Sequence, residues 1–280
     1  MGYVICEKCG GCYKLEADES INDFESCQCG GQLKYVETIA EPQIPKKNNR
    51  KTLKNGKTYT AQKSNQGIIL MAMGTLITLI SLLLVNLTGG ISFYVTILGI
   101  IIIGYAFSKS GSWIKGDIGE RITTNHLKKL PEKDYVIFDD VKLPESHGNI
   151  DHIVVGKTGI FVIETKNYLG HYIVDGDEWF YKNDNGIQKS LSNPGKQAKK
   201  NSIHLKKYLS YNGVRTFDLW INSIVAMTQY NITIQRKPKN YEILRSSDIP
   251  RFIINRKEKL DPKTLKKTLN LLDELATNIH

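Results

Sequence analysis

Residues 158–167 read Thr158-Gly-Ile-Phe-Val-Ile-Glu-Thr-Lys-Asn167, an apolar β-rich run that turns charged at its C-terminal end. Ahead of it, Ile150-Asp-His-Ile-Val-Val-Gly156 is a second β-rich run, and Lys157-Thr158-Gly159 between them reads as a hairpin turn. Alternation with period two puts Glu164 and Lys166 on the same face of their strand. Asp151 sits one hairpin away from Glu164, so two carboxylates and an ammonium gather where the sheet meets solvent. Facing carboxylates repel each other and raise one pKa, which makes a divalent cation a natural occupant. Carboxylate oxygens suit Mg²⁺ or Mn²⁺, and Mg²⁺ retains waters and binds substrate phosphate. A neighbouring lysine can orient or deprotonate an attacking water and offset the charge of the phosphorane.

Working outward, Gly116 to Leu130 has apolar residues at 118, 122, 127 and 130, one face of a helix that Pro131 ends. Tyr135–Leu143 predicts a strand, as do His171–Val174, Glu178–Tyr181 and Trp220–Met227, with a turn at Asn183-Asp-Asn-Gly186. Asn193-Pro194 opens a helix that runs to about Tyr211. Asp261-Pro262 opens a last helix with apolar positions at 265, 269, 272 and 275, and 232–244 is expected to finish the sheet. Helices flanking a mixed sheet define an α/β domain over 112–280. His152 is expected to face away from Asp151 and make a structural hydrogen bond, and Trp179 to be core. Lys196, Lys199, Lys200, Lys206 and Lys207 share the helix of Gln197, where they either track a phosphate backbone or form a solvated face.

Gly116-x-x-Gly-Glu120, Ile150-Asp-His, Thr158 to Asn167, Trp179 and Asn193-Pro-x-x-Gln197, in that order, resemble the nuclease-related domain, NERD, of the PD-(D/E)xK superfamily. The resemblance implies the restriction-endonuclease-like fold. It also implies Asp151 and Glu164 as metal ligands with the Thr165 carbonyl as a third, Lys166 as the catalytic lysine, Glu120 as an assisting carboxylate and Gln197 as a helix residue facing the site. Asn149 stands where that family usually has glutamine before Ile-Asp.

The chain has 280 residues and a formal net charge of +10, with 24% charged and 41% hydrophobic residues, which excludes a wholly disordered chain. Every residue from Ser64 to Ser108 is uncharged. Within that run Ile68–Leu87 and Ile91–Phe107 match the hydrocarbon thickness as helices, with a reversal at Thr88-Gly89-Gly90, and predict a transmembrane hairpin over 67–108. Lys63 precedes the hairpin and Lys109 and Lys115 follow it, so both soluble parts are expected in the cytoplasm, making this a multi-pass protein of the cell membrane. Residues 38–66 form a basic linker, with seven Lys or Arg against Glu41.

All five Cys precede residue 30. Cys6-x-x-Cys9-Gly-Gly and Cys27-x-Cys29-Gly-Gly place two thiolate pairs on tight knuckles, the spacing of a structural Zn²⁺ site, and 1–37 resembles a rubredoxin-like zinc ribbon. A disulfide pair is the rival reading, disfavoured in the cytoplasm, and Cys12 also forms a Cys-x-x-Cys with Cys9. The segment carries seven acidic and three basic residues, which suits a protein partner better than nucleic acid. The whole reads as a membrane-tethered, Mg²⁺-dependent nuclease acting on DNA phosphodiesters. The alternative is a catalytically silent nucleic-acid-binding or scaffold protein at the membrane.

Overall fold

The structure is a computed structural model that describes residues 3–6, 12–14, 32–36, 56–88, 90–146, 148–229, 231–257 and 260–280. Near the N-terminus, β1 (Tyr3–Cys6) pairs antiparallel with β2 (Cys12–Lys14) and β3 (Leu33–Val36). Cys6 ends β1 and Cys12 begins β2, while Cys9, Cys27 and Cys29 lie outside the described residues. So does most of 38–66.

Two helices carry the uncharged run: α1 (Tyr59–Leu83) and α3 (Gly90–Leu127), joined through a single helical turn, α2 (Val85–Thr88). Both are long and apolar enough to cross a membrane. Their large side chains point outward, with Leu83 and Tyr94 more than 70% exposed, whereas a core helix of a soluble protein would bury them. What they bury against each other is small: Ser64, Gly67, Gly74 and Ser81 of α1, and Ser92, Gly99, Ala106 and Ser110 of α3. Residues 67, 74 and 81 and residues 92, 99 and 106 recur every seventh position, so each set forms one stripe, and the antiparallel helices meet along it. Small residues let backbones approach where no hydrophobic drive separates helix from lipid. A Cβ on Gly99 would stand 2.3 Å from Thr78 Oγ1 and 3.0 Å from the Gly74 carbonyl. Ser81 Oγ and Thr96 Oγ1 are bonded across the seam at 2.7 Å.

Two boundaries differ from the sequence expectation. The first helix starts at Tyr59, inside the expected linker, and breaks at Leu84, ahead of the expected Gly89-Gly90 reversal. The helix expected over 116–130 is not a separate element but the last third of α3, which at 38 residues is about 57 Å long. Gly116 does not end it. There a Cβ would meet the Thr60 methyl at 3.2 Å, so this glycine serves the close approach of α1.

The remaining chain builds a six-stranded mixed sheet in the order β12-β10-β6-β5-β4-β13. Its strands are β4 (Tyr135–Val141), β5 (Ile150–Gly156), β6 (Gly159–Lys166), β10 (Ile221–Met227), β12 (Glu242–Arg245) and β13 (Ala276–Ile279). β6, β10 and β12 run parallel, and β13, β4, β5 and β6 antiparallel in succession. One face packs on α4 (Pro194–Tyr211) and α6 (Pro262–Asp273) through Leu205, Leu209, Leu265, Leu269 and Leu272. The other packs on the end of α3 and on α5 (Ile249–Ile254) through Leu127, Ile249 and Ile253. A smaller sheet, β11-β7-β8-β9, is made of β7 (His171–Asp175), β8 (Glu178–Asn183), β9 (Gly186–Lys189) and β11 (Ile232–Arg236). Trp179 joins it to the core, fully buried with its Nε1 donating to Tyr241 Oη at 3.0 Å. This is the α/β architecture of a mixed sheet between helices, consistent with a restriction-endonuclease-like fold. The expected strand region 232–244 divides: β11 joins the smaller sheet and β12 finishes the larger one.

Gly99→Leu should overpack the helix seam and lower the thermal midpoint of the detergent-solubilised full chain by the equivalent of about 1–3 kcal/mol. Ile101→Leu, on the outer face, should leave the midpoint unchanged in the same melting experiment.

Candidate active site

β5 and β6 stay paired as far as His152↔Ile163. At the next rung a side chain takes over from the ladder: the Thr165 backbone N–H donates to Asp151 Oδ2 at 2.7 Å. The strand end thereby holds Asp151 against the chain that carries Glu164. Glu164 is buried, and its Oε1 accepts from Lys166 Nζ at 2.6 Å. The expected shared face of Glu164 and Lys166 is thus realised as an ion pair. α4 closes the other side. Asn193 caps it by accepting from Lys196 N–H, Pro194 fills its first turn, and Gln197 Oε1 accepts from Lys166 Nζ at 3.4 Å. One turn on, Asn201 Nδ2 donates to Glu164 Oε2 at 3.4 Å. Reading the sequence missed Asn201, although its i+4 spacing from Gln197 was the available signal.

Glu120 enters from α3, in the stretch beyond the uncharged run, where Gly119 allows the helix to lie on Thr165 and Asn167. Its carboxyl is pushed up to about 8, by burial first and by the charge of Asp151 second, against a hydrogen bond from Thr60. Glu164 is also pushed up to about 8, by burial and then by Asp151, with Lys166 opposing. Asp151 is raised by burial despite Lys166 and His152. Burial alone would lower Lys166, but Glu164 and Asp151 outweigh it and hold the amine above its ordinary value. The cluster is therefore three crowded carboxylates with too little positive charge. Among the described residues no three acidic or imidazole groups form a ready-made metal cage. The donors present, two carboxylates and a strand-end carbonyl, are all oxygen and fit a hard cation that keeps part of its water shell.

On the opposite face His152 does what its alternation implied. Its Nδ1 bonds Asp139 Oδ1 at 2.7 Å and its Nε2 bonds Thr165 Oγ1 at 3.1 Å. Asp139 also takes His280 Nε2 and Thr124 Oγ1. Burial would lift Asp139, but His152 and His280 hold it well below the usual carboxylate range.

Asp140 was not legible as a site residue. Its backbone sits at φ 55°, a left-handed conformation that aspartate tolerates better than most residues. Its carboxylate accepts from the backbone N–H of Tyr59 at 2.8 Å, from Asn149 Nδ2 at 2.7 Å and from Thr277 Oγ1 at 2.9 Å. Tyr59 is the first residue of α1, so Asp140 satisfies an orphan N–H and places negative charge at that helix start. Asn149, one methylene shorter than the glutamine of the resembled family, is used for this junction. Tyr59 also packs edge-on to Trp113, with ring centroids 5.6 Å apart.

Comparison with known proteins agrees with the motifs. Residues 115–228 match the nuclease-related domain, NERD, so the chain contains a nuclease-related domain. An uncharacterized protein of Bacillus anthracis is 36% identical over 95 residues, 33% of this chain and 44% of that protein. The match therefore spans less than half of that relative. No solved structure matches the chain.

The raised Glu120 value has a direct consequence for stability without added divalent metal. A folded carboxyl at about 8 against an ordinary 4.5 binds a proton more tightly folded than unfolded, so stability falls as pH rises between those values. Glu120→Gln, a mimic of the neutral acid, should exceed wild type in thermal midpoint at pH 8, with the gap closing toward pH 5.

Proposed function

We propose that this protein is a membrane-tethered, metal-dependent nuclease that hydrolyses phosphodiester bonds in DNA on the cytoplasmic side of the cell membrane. The observation that carries the reading is the convergence of Glu120, Asp151, Glu164 and Lys166 from three elements onto one end of the sheet, inside a nuclease-related domain. Asp151, Glu164 and the Thr165 carbonyl would hold the cation, Mg²⁺ or Mn²⁺. Bound there, it supplies positive charge to the scissile phosphate and acidifies water.

The chain's own groups divide the remaining work. Thr165 N–H fixes one oxygen of Asp151 and leaves the other for ligation. Lys166 stays an ammonium beside Glu164, so its part is to donate to a phosphate oxygen and stabilise the charge that develops there, not to serve as a base. Gln197 and Asn201 keep the lysine and Glu164 in register from α4. Glu120, whose carboxyl is pushed up to about 8 by burial and Asp151, would accept a proton from the attacking water once added positive charge leaves it ionised. The uncharged halves of α1 and α3 cross the bilayer, and Lys57, Lys63, Lys109 and Lys115 keep both ends in the cytoplasm. Cys6, Cys9, Cys27 and Cys29 hold a structural Zn²⁺ in a ribbon that meets a protein partner.

With Mg²⁺, the full chain in detergent should nick plasmid DNA, and Glu164→Ala and Lys166→Ala should each lower the rate by about a hundredfold or more. Equal rates in wild type and both variants would overturn the reading. The tether has its own check: alkaline carbonate should leave the full chain in the membrane pellet, and its release into the supernatant would refute the hairpin.

A further inference from the structure

A neutral group from the other apolar helix reaches the acid cluster. Gly116 and Glu120 are i and i+4 on α3, so they stand one above the other on one face of that helix. Thr60, the second residue of α1, lies against both: a Cβ on Gly116 would stand 3.2 Å from its methyl, and its hydroxyl bonds the Glu120 carboxyl. A threonine side chain carries its two branches on one stiff torsion. Seating the methyl over Gly116 therefore settles where the hydroxyl points.

Both helices are fixed where they meet. The start of α1 is pinned by Asp140, which accepts from the Tyr59 backbone N–H at 2.8 Å and from Asn149 Nδ2 at 2.7 Å. Thr58 caps the same turn, accepting from the Ala61 N–H at 3.2 Å. The facing turn of α3 is held to the strand that carries the lysine: Asn167, next after Lys166, donates from Nδ2 to the Lys115 carbonyl at 2.9 Å. Thr60 and Glu120 are thus presented to each other by backbone anchored at the ends of β4 and β6.

We infer that Thr60 is a positioning residue of the nuclease site: its hydroxyl orients the Glu120 carboxylate, so that α1, the first apolar helix, completes a cluster whose acids and lysine all lie on other elements. The inference rests on the nuclease reading and adds a contribution from outside residues 115–228, which match the nuclease-related domain. One hydroxyl donated to a carboxylate leaves that group its remaining lone pairs, so Thr60 can hold Glu120 without blocking the transfer of a proton to it. Thr60 itself touches no substrate in this reading, and its loss should be felt in turnover, not in binding.

The test is steady-state nicking of plasmid DNA with Mg²⁺ by the full chain in detergent. Thr60→Val keeps the shape and loses the hydroxyl; it should lower kcat about tenfold and leave KM unchanged. Thr60→Ser keeps the hydroxyl and should retain the wild-type kcat. Thr60→Ala removes the hydroxyl at a helical position that alanine favours, should lower kcat as Thr60→Val does, and covers the case in which that variant fails to fold. In a Glu120→Ala background neither Thr60→Val nor Thr60→Ala should lower kcat further, because the group they position is gone. Wild-type kcat in both Thr60→Val and Thr60→Ala would overturn the positioning role and leave the nuclease reading in place. So would a full additional loss in the Glu120→Ala background, or a rise in KM alone. Absence of nicking by wild type would overturn both.

Discussion

Like charges held out of water govern this protein. Glu120, Asp151 and Glu164 lie near enough for each to disturb another, and burial drives two of them up to about 8. The ammonium of Lys166 answers one of the three directly, at 2.6 Å from Glu164. A chain selected for stability alone would replace such a cluster with apolar residues of similar volume. Its presence at the end of a rigid sheet therefore argues for a site kept for chemistry rather than for stability, and the cation proposed above would supply the positive charge that the cluster lacks.

The fold around the cluster resists that repulsion with neutral and oppositely charged contacts on every side. From the sheet, the Thr165 N–H restrains Asp151. From α4, the side chains of Gln197 and Asn201 reach Lys166 and Glu164. From the face on which α3 lies, the Asp139–His152–Thr165 chain fixes the end of β6 next to Glu164. Each support comes from an element with its own packing, so relaxing one acid would require moving a whole strand or helix.

The hairpin, the shared face of Glu164 and Lys166, the cap at Asn193 and the structural role of His152 were legible from local rules, because alternation and capping are decided within a few residues. Long-range pairing was not. β13 lies at the chain end and gains its place only by pairing with β4, far away in sequence. The division of 232–244 between two sheets has no local signature, and Asp140 reads as one more polar residue until Tyr59, Asn149 and Thr277 converge on it. The continuity of α3 was hidden by two glycines and by the return of charge after Ser108, both of which mimic a domain boundary. At Gly116, however, the missing side chain makes room for Thr60 of a neighbouring helix.

That continuity changes what the nuclease-like unit is. α3 runs unbroken from the apolar span into the position of Glu120, and α1 begins against Asp140 with Thr60 bonded to Glu120. Both apolar helices thus end at the acid cluster, and the seam between them continues into the contact of Thr60 with Gly116. A fragment beginning near residue 112 would keep every motif residue yet lose the donor to Asp140, the partner of Glu120 and most of the helix that positions it. The site is accordingly a property of the hairpin and the sheet together, and displacement of α1 against α3 would be felt first at Asp140 and Glu120.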